Sequence, residues 1–144
     1  MPLRGEYEPS PWSPVADQVE RYEATGGAEA GSHEGKPVVI LTTRGRRSGK
    51  LRKSALMRVE HDGRYAVIAS LGGAPQHPQW YLNLMDDPLV TIQDGDRTVE
   101  ARARTASGEE REAWWRYATE AWPAYDEYQD KTDRQIPVVL LDPV

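Results

Sequence analysis

The sequence predicts an α+β protein: a small, mostly antiparallel barrel of about six strands with helices set against it. Three observations carry this. Short β-rich runs are joined by tight turns at His61-Asp62-Gly63 and Asp94-Gly95, both strong hairpin signals. Helical patterns fall outside those hairpins rather than alternating with every strand, which argues against a parallel α/β sheet. Finally, the chain has 144 residues, enough for one domain that buries a core without staples.

Taken in order, residues 1–36 read as an N-terminal extension. Pro2, Pro9, Pro11 and Pro14 punctuate it, and Ser13-Pro14 has the form of an N-cap followed by proline at the first helical position. A short helix is expected from there to about Thr25, and Gly26, Gly27, Gly31 and Gly35 then predict a loop. Residues 37–144 form the barrel domain. Pro37 to Thr43 is an apolar strand; Leu51 to Glu60 and Arg64 to Ser70 form the first hairpin. Pro78 to Met85 predicts a short helix stopped before Asp87-Pro88. Leu89 to Gln93 and Arg97 to Thr105 form the second hairpin, in which Val99, Ala101 and Ala103 alternate with charged residues, as in a strand with one wet face. Ser107 and Glu110 are spaced as a capping box. The helix it opens carries Ala113, Trp114, Tyr117 and Ala121 on one stripe and breaks at Pro123. Ile136 to Leu141 is a last buried strand.

Composition excludes several functions. With no Cys there are no disulfides, thiolate metal sites or Cys nucleophile. His33, His61 and His77 fit no zinc spacing, so no metal is expected. A net charge of −5 argues against a general nucleic-acid binder, which would show a broad basic face. The start lacks the apolar stretch of a secretory signal and is too polar and proline-broken for a firm membrane anchor, so the expected location is cytoplasmic. The sequence leaves the oligomeric state open.

The charge is unevenly distributed. Arg44, Arg46, Arg47, Lys50, Arg52 and Lys53 crowd into ten residues that hold none of the 23 Asp and Glu. A cationic turn in an anionic protein suits an anionic ligand held by charge-assisted hydrogen bonds. Its bland reading is a solvated loop or a localisation-like basic patch. Gly45 to Leu51 imitates a phosphate-binding P-loop but fails it: the glycine interval is one residue short and Leu51 stands where Ser or Thr is needed. Gly72-Gly73 offers either a close backbone approach or only a strand-ending turn. Of Trp80 and Tyr81, at least one is expected in the core. Trp114 and Tyr117 read as packing, whereas Trp122, Tyr125 and Tyr128, every third residue past a proline, suit a cavity lip. His77 before Pro78 reads as a helix-entry residue.

Four segments, TTRGRRSGKLR at 42–52, ASLGGAPQHPQWYLNL at 69–84, ASGEER at 106–111 and AYDEYQDKTDRQIPVV at 124–139, together resemble the deazaflavin-dependent nitroreductase family. The likeness spans about residues 37–143. It implies a split β-barrel, similar to FMN-binding barrels, that binds coenzyme F420. It also implies an F420-dependent oxidoreductase passing a hydride from the deazaflavin C5 to an electron-poor small molecule: an unsaturated lactone or ester, a quinone or a nitroaromatic. The coenzyme would supply the redox chemistry, so no triad or carboxylate pair is needed.

On matching positions the resemblance implies that Arg46, Arg47, Ser48 and Arg52 hold the phosphate and acidic tail, while Lys53, Ser54, Ala55, Leu56 and Met57 pass beneath the coenzyme. Ile68, Ala69, Ser70 and Leu71 would border the deazaflavin. Gln79, Trp80, Tyr81, Leu82 and Asn83 would form a further wall. Tyr125 would stand near the reactive ring, with Met57, Trp122 and Tyr128 on the acceptor side; Ser70 and Tyr125 are the candidates to orient or polarise the acceptor. Two positions depart from the family: Leu71 replaces a common Lys, and Met57 replaces a Tyr of the best-known nitroreductase. The alternatives are an FMN- or haem-binding protein on the same barrel, or a non-catalytic carrier of F420.

Overall fold

The structure, a computed structural model, describes residues 3–144; Pro2, one of the prolines punctuating the start, lies outside the described residues. Eight strands make one curled sheet in which every strand pairing is antiparallel. They are β1 (Ser32–His33), β2 (Lys36–Arg44), β3 (Leu51–Met57), β4 (Val59–His61), β5 (Arg64–Ile68), β6 (Leu89–Asp94), β7 (Arg97–Thr105) and β8 (Val138–Pro143). The order is β1-β2-β6-β7-β8-β5-β4, with β3 paired to β2 off that path. Four helices flank the sheet: α1 (Ser13–Thr25), α2 (Gln79–Asp86), α3 (Gly108–Ala121) and α4 (Ala124–Asp130).

The extra two strands have local causes. The run expected as one strand from Leu51 to Glu60 breaks at Arg58, whose N–H donates to the Pro37 carbonyl at 3.0 Å. There the chain changes partner: β3 pairs with β2, whereas β4 pairs with β5, so the break turns a corner of the barrel. In the glycine-rich loop, Glu34 and Gly35 both take positive φ, which folds β1 back on β2 as a small hairpin. Asp62 and Gly63 do the same between β4 and β5, as their sequence predicts.

Alternate residues of the central strands enter different cores. Val39, Leu41, Tyr65, Val67, Val139 and Leu141 meet inside the curl with Leu84, Val90 and Ile92. Ala66, Ile68, Val138 and Leu140 face outward onto Trp114, Ala118 and Tyr125 of α3 and α4. Val38 and Ile40 face α1, where Val19 and Tyr22 are buried. Both faces of β2, β5 and β8 are thus covered, which is why these strands read as continuous apolar runs. The Tyr22 hydroxyl accepts from the Gly95 N–H at 2.6 Å and lies 3.2 Å from the Val38 carbonyl oxygen, bolting α1 to two strands.

Two expected caps take other forms. Helix α1 starts at Ser13 itself, with Trp12 as the residue before the first turn and no side-chain cap. Ser107 does precede α3 but its hydroxyl makes no capping bond. Glu110, the other half of the expected box, pairs with the Arg104 guanidinium at 2.6 and 3.0 Å. Arg104 also holds Asp142 at 2.6 Å. A bidentate arginine contact outcompetes a single backbone cap here.

Candidate functional site

The basic turn between β2 and β3 is rigidly built. Gly45 N–H donates to the Lys50 carbonyl at 2.7 Å, and Gly49 N–H to that of Gly45 at 2.9 Å. Buried Asn83 of α2 accepts from the Arg46 N–H at 3.2 Å and donates to the Thr43 hydroxyl at 3.3 Å. The turn is therefore fastened to α2, and a cleft of about 520 Å³ opens between them. Arg46, Arg47, Ser48, Arg52, Lys53 and Ser54 line it on one side; Gln79, Trp80 and Asn83 line it on the other.

The cations are not equivalent. Arg44 is structural: it donates to the Gly49 carbonyl at 2.8 Å and the Arg4 carbonyl at 2.5 Å. Arg46 donates to the neutral Gln79 side chain at 2.7 Å. Arg52 meets Glu8 at 2.9 Å, Lys53 meets Glu23 at 2.5 Å and Lys50 meets Glu6 at 3.8 Å. Arg47 is exposed and has no ion-pair partner among the described residues. Three carboxylates of the N-terminal extension thus reach a turn that holds none of its own.

A second hollow, of about 370 Å³, adjoins the first. Ala55, Leu56 and Met57 of β3 and Ile68, Ser70 and Leu71 border it; Trp122, Tyr125 and Tyr128 form its aromatic lip. Trp80 is a wall of both cavities, so a basic cleft and an aromatic hollow share one indole. Tyr125 is 4 % exposed, and burial pushes its phenol well above the ordinary tyrosine range, keeping it protonated. Neither its hydroxyl nor that of Ser70 has a hydrogen-bond partner among the described residues, yet neither is sealed from the cavity. Two spare hydroxyl donors therefore face a largely apolar, aromatic-edged space.

The edge of this hollow at Ser70 is held by Arg134. Its guanidinium donates to the carbonyls of Ser70 at 2.7 Å, Ala74 at 2.9 Å and Ala69 at 3.0 Å. It also lies 3.1 Å from His77 Nδ1. Arginine only donates, so Nδ1 accepts and the imidazole proton sits on Nε2. Burial, then the Arg134 charge, lowers the His77 pKa and favours that neutral form. The following 3-10 turn, Leu71–Gly73, carries positive φ at all three residues.

Most sequence-predicted site residues converge on these two cavities. Three do not line either: Ala69 is fully buried with its carbonyl on Arg134, Tyr81 is a core residue whose hydroxyl meets Thr105 at 3.1 Å, and Leu82 packs against the same core. Trp80 and Tyr81 both pack in the core, and Trp80 also walls the two cavities. The glycine pair also divides. Gly72 borders the hollow with open space around it, whereas a Cβ at Gly73 would lie 2.6 Å from the Tyr128 carbonyl oxygen, so Gly73 serves the packing of α4. Sequence reasoning missed the extension's contribution. Glu8, Ser10 and Val15 line the cleft, and Gln18 and His33 line the hollow. The only signal for them is the presence of acidic residues in a segment that must lie somewhere near a strongly basic turn.

Residues 15–143 match the family described as F420H(2)-dependent quinone reductase. A provisionally named F420H(2)-dependent quinone reductase of Mycobacterium tuberculosis, Rv3178, is 36% identical over 114 residues, covering 79% of this chain and 96% of that protein. A solved F420-H2 dependent reductase (FDR-A) is 53% identical, with a TM-score of 0.70 over 74% of this chain and 94% of that one. A further solved chain, described as a domain-swapped dimer, is 48% identical, with a TM-score of 0.73 over 92% of this chain and 100% of that one.

Proposed function

The chain belongs to the F420H(2)-dependent quinone reductase family, and from that premise we propose how its two cavities divide the work. It is an oxidoreductase that uses reduced F420. The residues fit that coenzyme in kind. A long tail bearing a phosphate and carboxylates needs several donors, and Arg46, Arg47, Arg52, Ser48, Gln79 and Asn83 supply them along one cleft. A flat tricyclic ring needs an apolar, aromatic-edged space, and the hollow beyond Trp80 offers one. When bound, reduced F420 supplies the hydride donor.

The chain's own residues then have three tasks. The arginines neutralise and orient the tail. Met57, Trp122 and Tyr128 shape the space left for the acceptor and limit its water content. The Tyr125 phenol, kept protonated by burial, and the Ser70 hydroxyl are free to donate hydrogen bonds to a carbonyl oxygen of the acceptor. A quinone, with two ring carbonyls and a flat apolar body, suits such a lining. We place unsaturated lactones or esters and nitroaromatics behind it as acceptors with comparable polar groups. No residue is assigned as general acid; water can return the proton.

The single observation that carries this reading is the shared Trp80 wall, which joins a polyanion seat to a hydroxyl-edged aromatic hollow. Anaerobic incubation of protein and reduced F420 with a panel of quinones, lactones and nitroaromatics tests it. The return of oxidised-F420 absorbance with quinones is the expected result. Tight binding without turnover across the panel would instead make the protein a carrier.

A further inference from the structure

The N-terminal extension does more than flank the cleft. Leu51 N–H donates to the Glu6 carbonyl at 2.7 Å and Glu8 N–H donates to the Leu51 carbonyl at 2.9 Å. Tyr7 is thereby bridged in parallel to Leu51, at the head of β3. This backbone pairing fixes where the Glu8 side chain goes. Its carboxylate enters the cleft, 2.9 Å from Arg52 Nη1 and 3.5 Å from the Ser48 hydroxyl. The Ser48 oxygen already accepts from the Lys50 N–H at 3.1 Å, so its own proton is available to Glu8. A carboxylate on one arginine and one hydroxyl is the arrangement an anionic ligand would make there.

We propose that Glu8 is a specificity-determining residue of this site: a built-in carboxylate that competes with the ligand's anionic group for Arg52 and Ser48. The inference rests on the coenzyme reading above and deepens it. A ligand anion that takes Arg52 must first displace Glu8. One anion then replaces another, with little net gain. A ligand with several charges profits further, because its remaining groups reach Arg46 and Arg47, neither of which has a carboxylate partner among the described residues. Glu8 thus sets how much negative charge a ligand must bring. Both partners are partly exposed, so the pair is weak enough to be displaced.

The test is the affinity of purified protein for oxidised F420 at low salt, in wild type, Glu8→Gln, Arg52→Ala and the double variant. Glu8→Gln removes the competing charge at constant size and is expected to tighten binding about fivefold. In the Arg52→Ala background the same change should tighten binding clearly less, because only the Ser48 hydroxyl is then contested. A melting temperature equal to wild type would show that the backbone bridge at Tyr7 keeps the segment in place. Binding unchanged or weakened by Glu8→Gln would overturn the proposal. A wild type that fails to bind F420 at all would instead overturn the coenzyme reading, so the two failures are distinguishable.

Discussion

The Arg134 guanidinium donates to the Ser70 carbonyl oxygen at 2.7 Å across 64 residues of sequence, and so ties the segment before β8 to the edge of the aromatic hollow. The same group satisfies Ala69 and Ala74, which makes one side chain the keystone of residues 69–74. Replacing it leaves the part-buried Ala69 and Ala74 carbonyls without this donor, while Ser70 keeps only the Gly73 N–H at 2.9 Å. Arg134→Ala is expected to cost about 3 kcal/mol in chemical denaturation. Arg134→Lys should recover only part of that, because a single ammonium cannot span three acceptors.

His77 gives this keystone a pH dependence. Its folded-state pKa is lowered, first by burial and then by Arg134, so the neutral imidazole is favoured in the folded protein. The stabilisation is present above the unfolded value of about 6.5 and is lost as pH falls through the lower folded value. Melting temperatures should therefore fall on acidification below about pH 6.5. His77→Gln, which keeps an acceptor but cannot titrate, should flatten that part of the curve; an unchanged slope would remove His77 from the account.

The two adjacent glycines predict unequal costs. Gly73 has φ 87° and its Cβ would meet a backbone oxygen at 2.6 Å. Gly73→Ala combines left-handed strain with a clash against α4 and is expected to cost at least about 3 kcal/mol. At Gly72 there is open space, so Gly72→Ala should cost only the strain of φ 64°, about 1 kcal/mol. Denaturant titration of the pair separates them.

The proposed site gives Arg47 a role in ligand binding and no structural one. Exposed and without an ion-pair partner among the described residues, it supports no fold contact that Arg47→Ala would break. The variant should keep its melting temperature while F420 affinity drops about tenfold at low salt. That loss should shrink as salt rises and screens the exposed charge.

Tyr125→Phe removes only a hydroxyl with no partner among the described residues. Stability and F420 affinity should hold, while turnover with a quinone drops about tenfold if the phenol donates to the acceptor. Equal turnover would leave Tyr125 as a packing residue alone.

Much of the fold was legible because its signals are local. The Asp62-Gly63 turn, the apolar run of β2 and the Pro123 break are each specified within a few residues and stand where the sequence places them, whereas β8 begins two residues later than expected because the Ile136 N–H bonds the Gln129 side chain. The corner at Arg58 was not, since it depends on β3 and β4 having different partners far apart in the chain. The site divides in the same way. The basic turn and the Trp80 segment announce themselves by composition. The reach of Glu8 to Arg52 spans 44 residues from a proline-broken segment without periodicity, and no local pattern encodes it. Glu110 carries the spacing of a cap but answers to Arg104, close by in sequence on β7, a pairing the helix pattern does not encode.

In the proposed site the arginine-lined cleft and the Trp80 hollow together accept F420. Parallel titration of the purified protein with oxidised F420 and with FMN, followed by tryptophan fluorescence, tests it most directly. Saturable quenching with F420 is expected at concentrations at least tenfold below those needed for FMN, with loss of that preference in Arg47→Ala/Arg52→Ala. Equal affinities, or a preference for FMN, would contradict it.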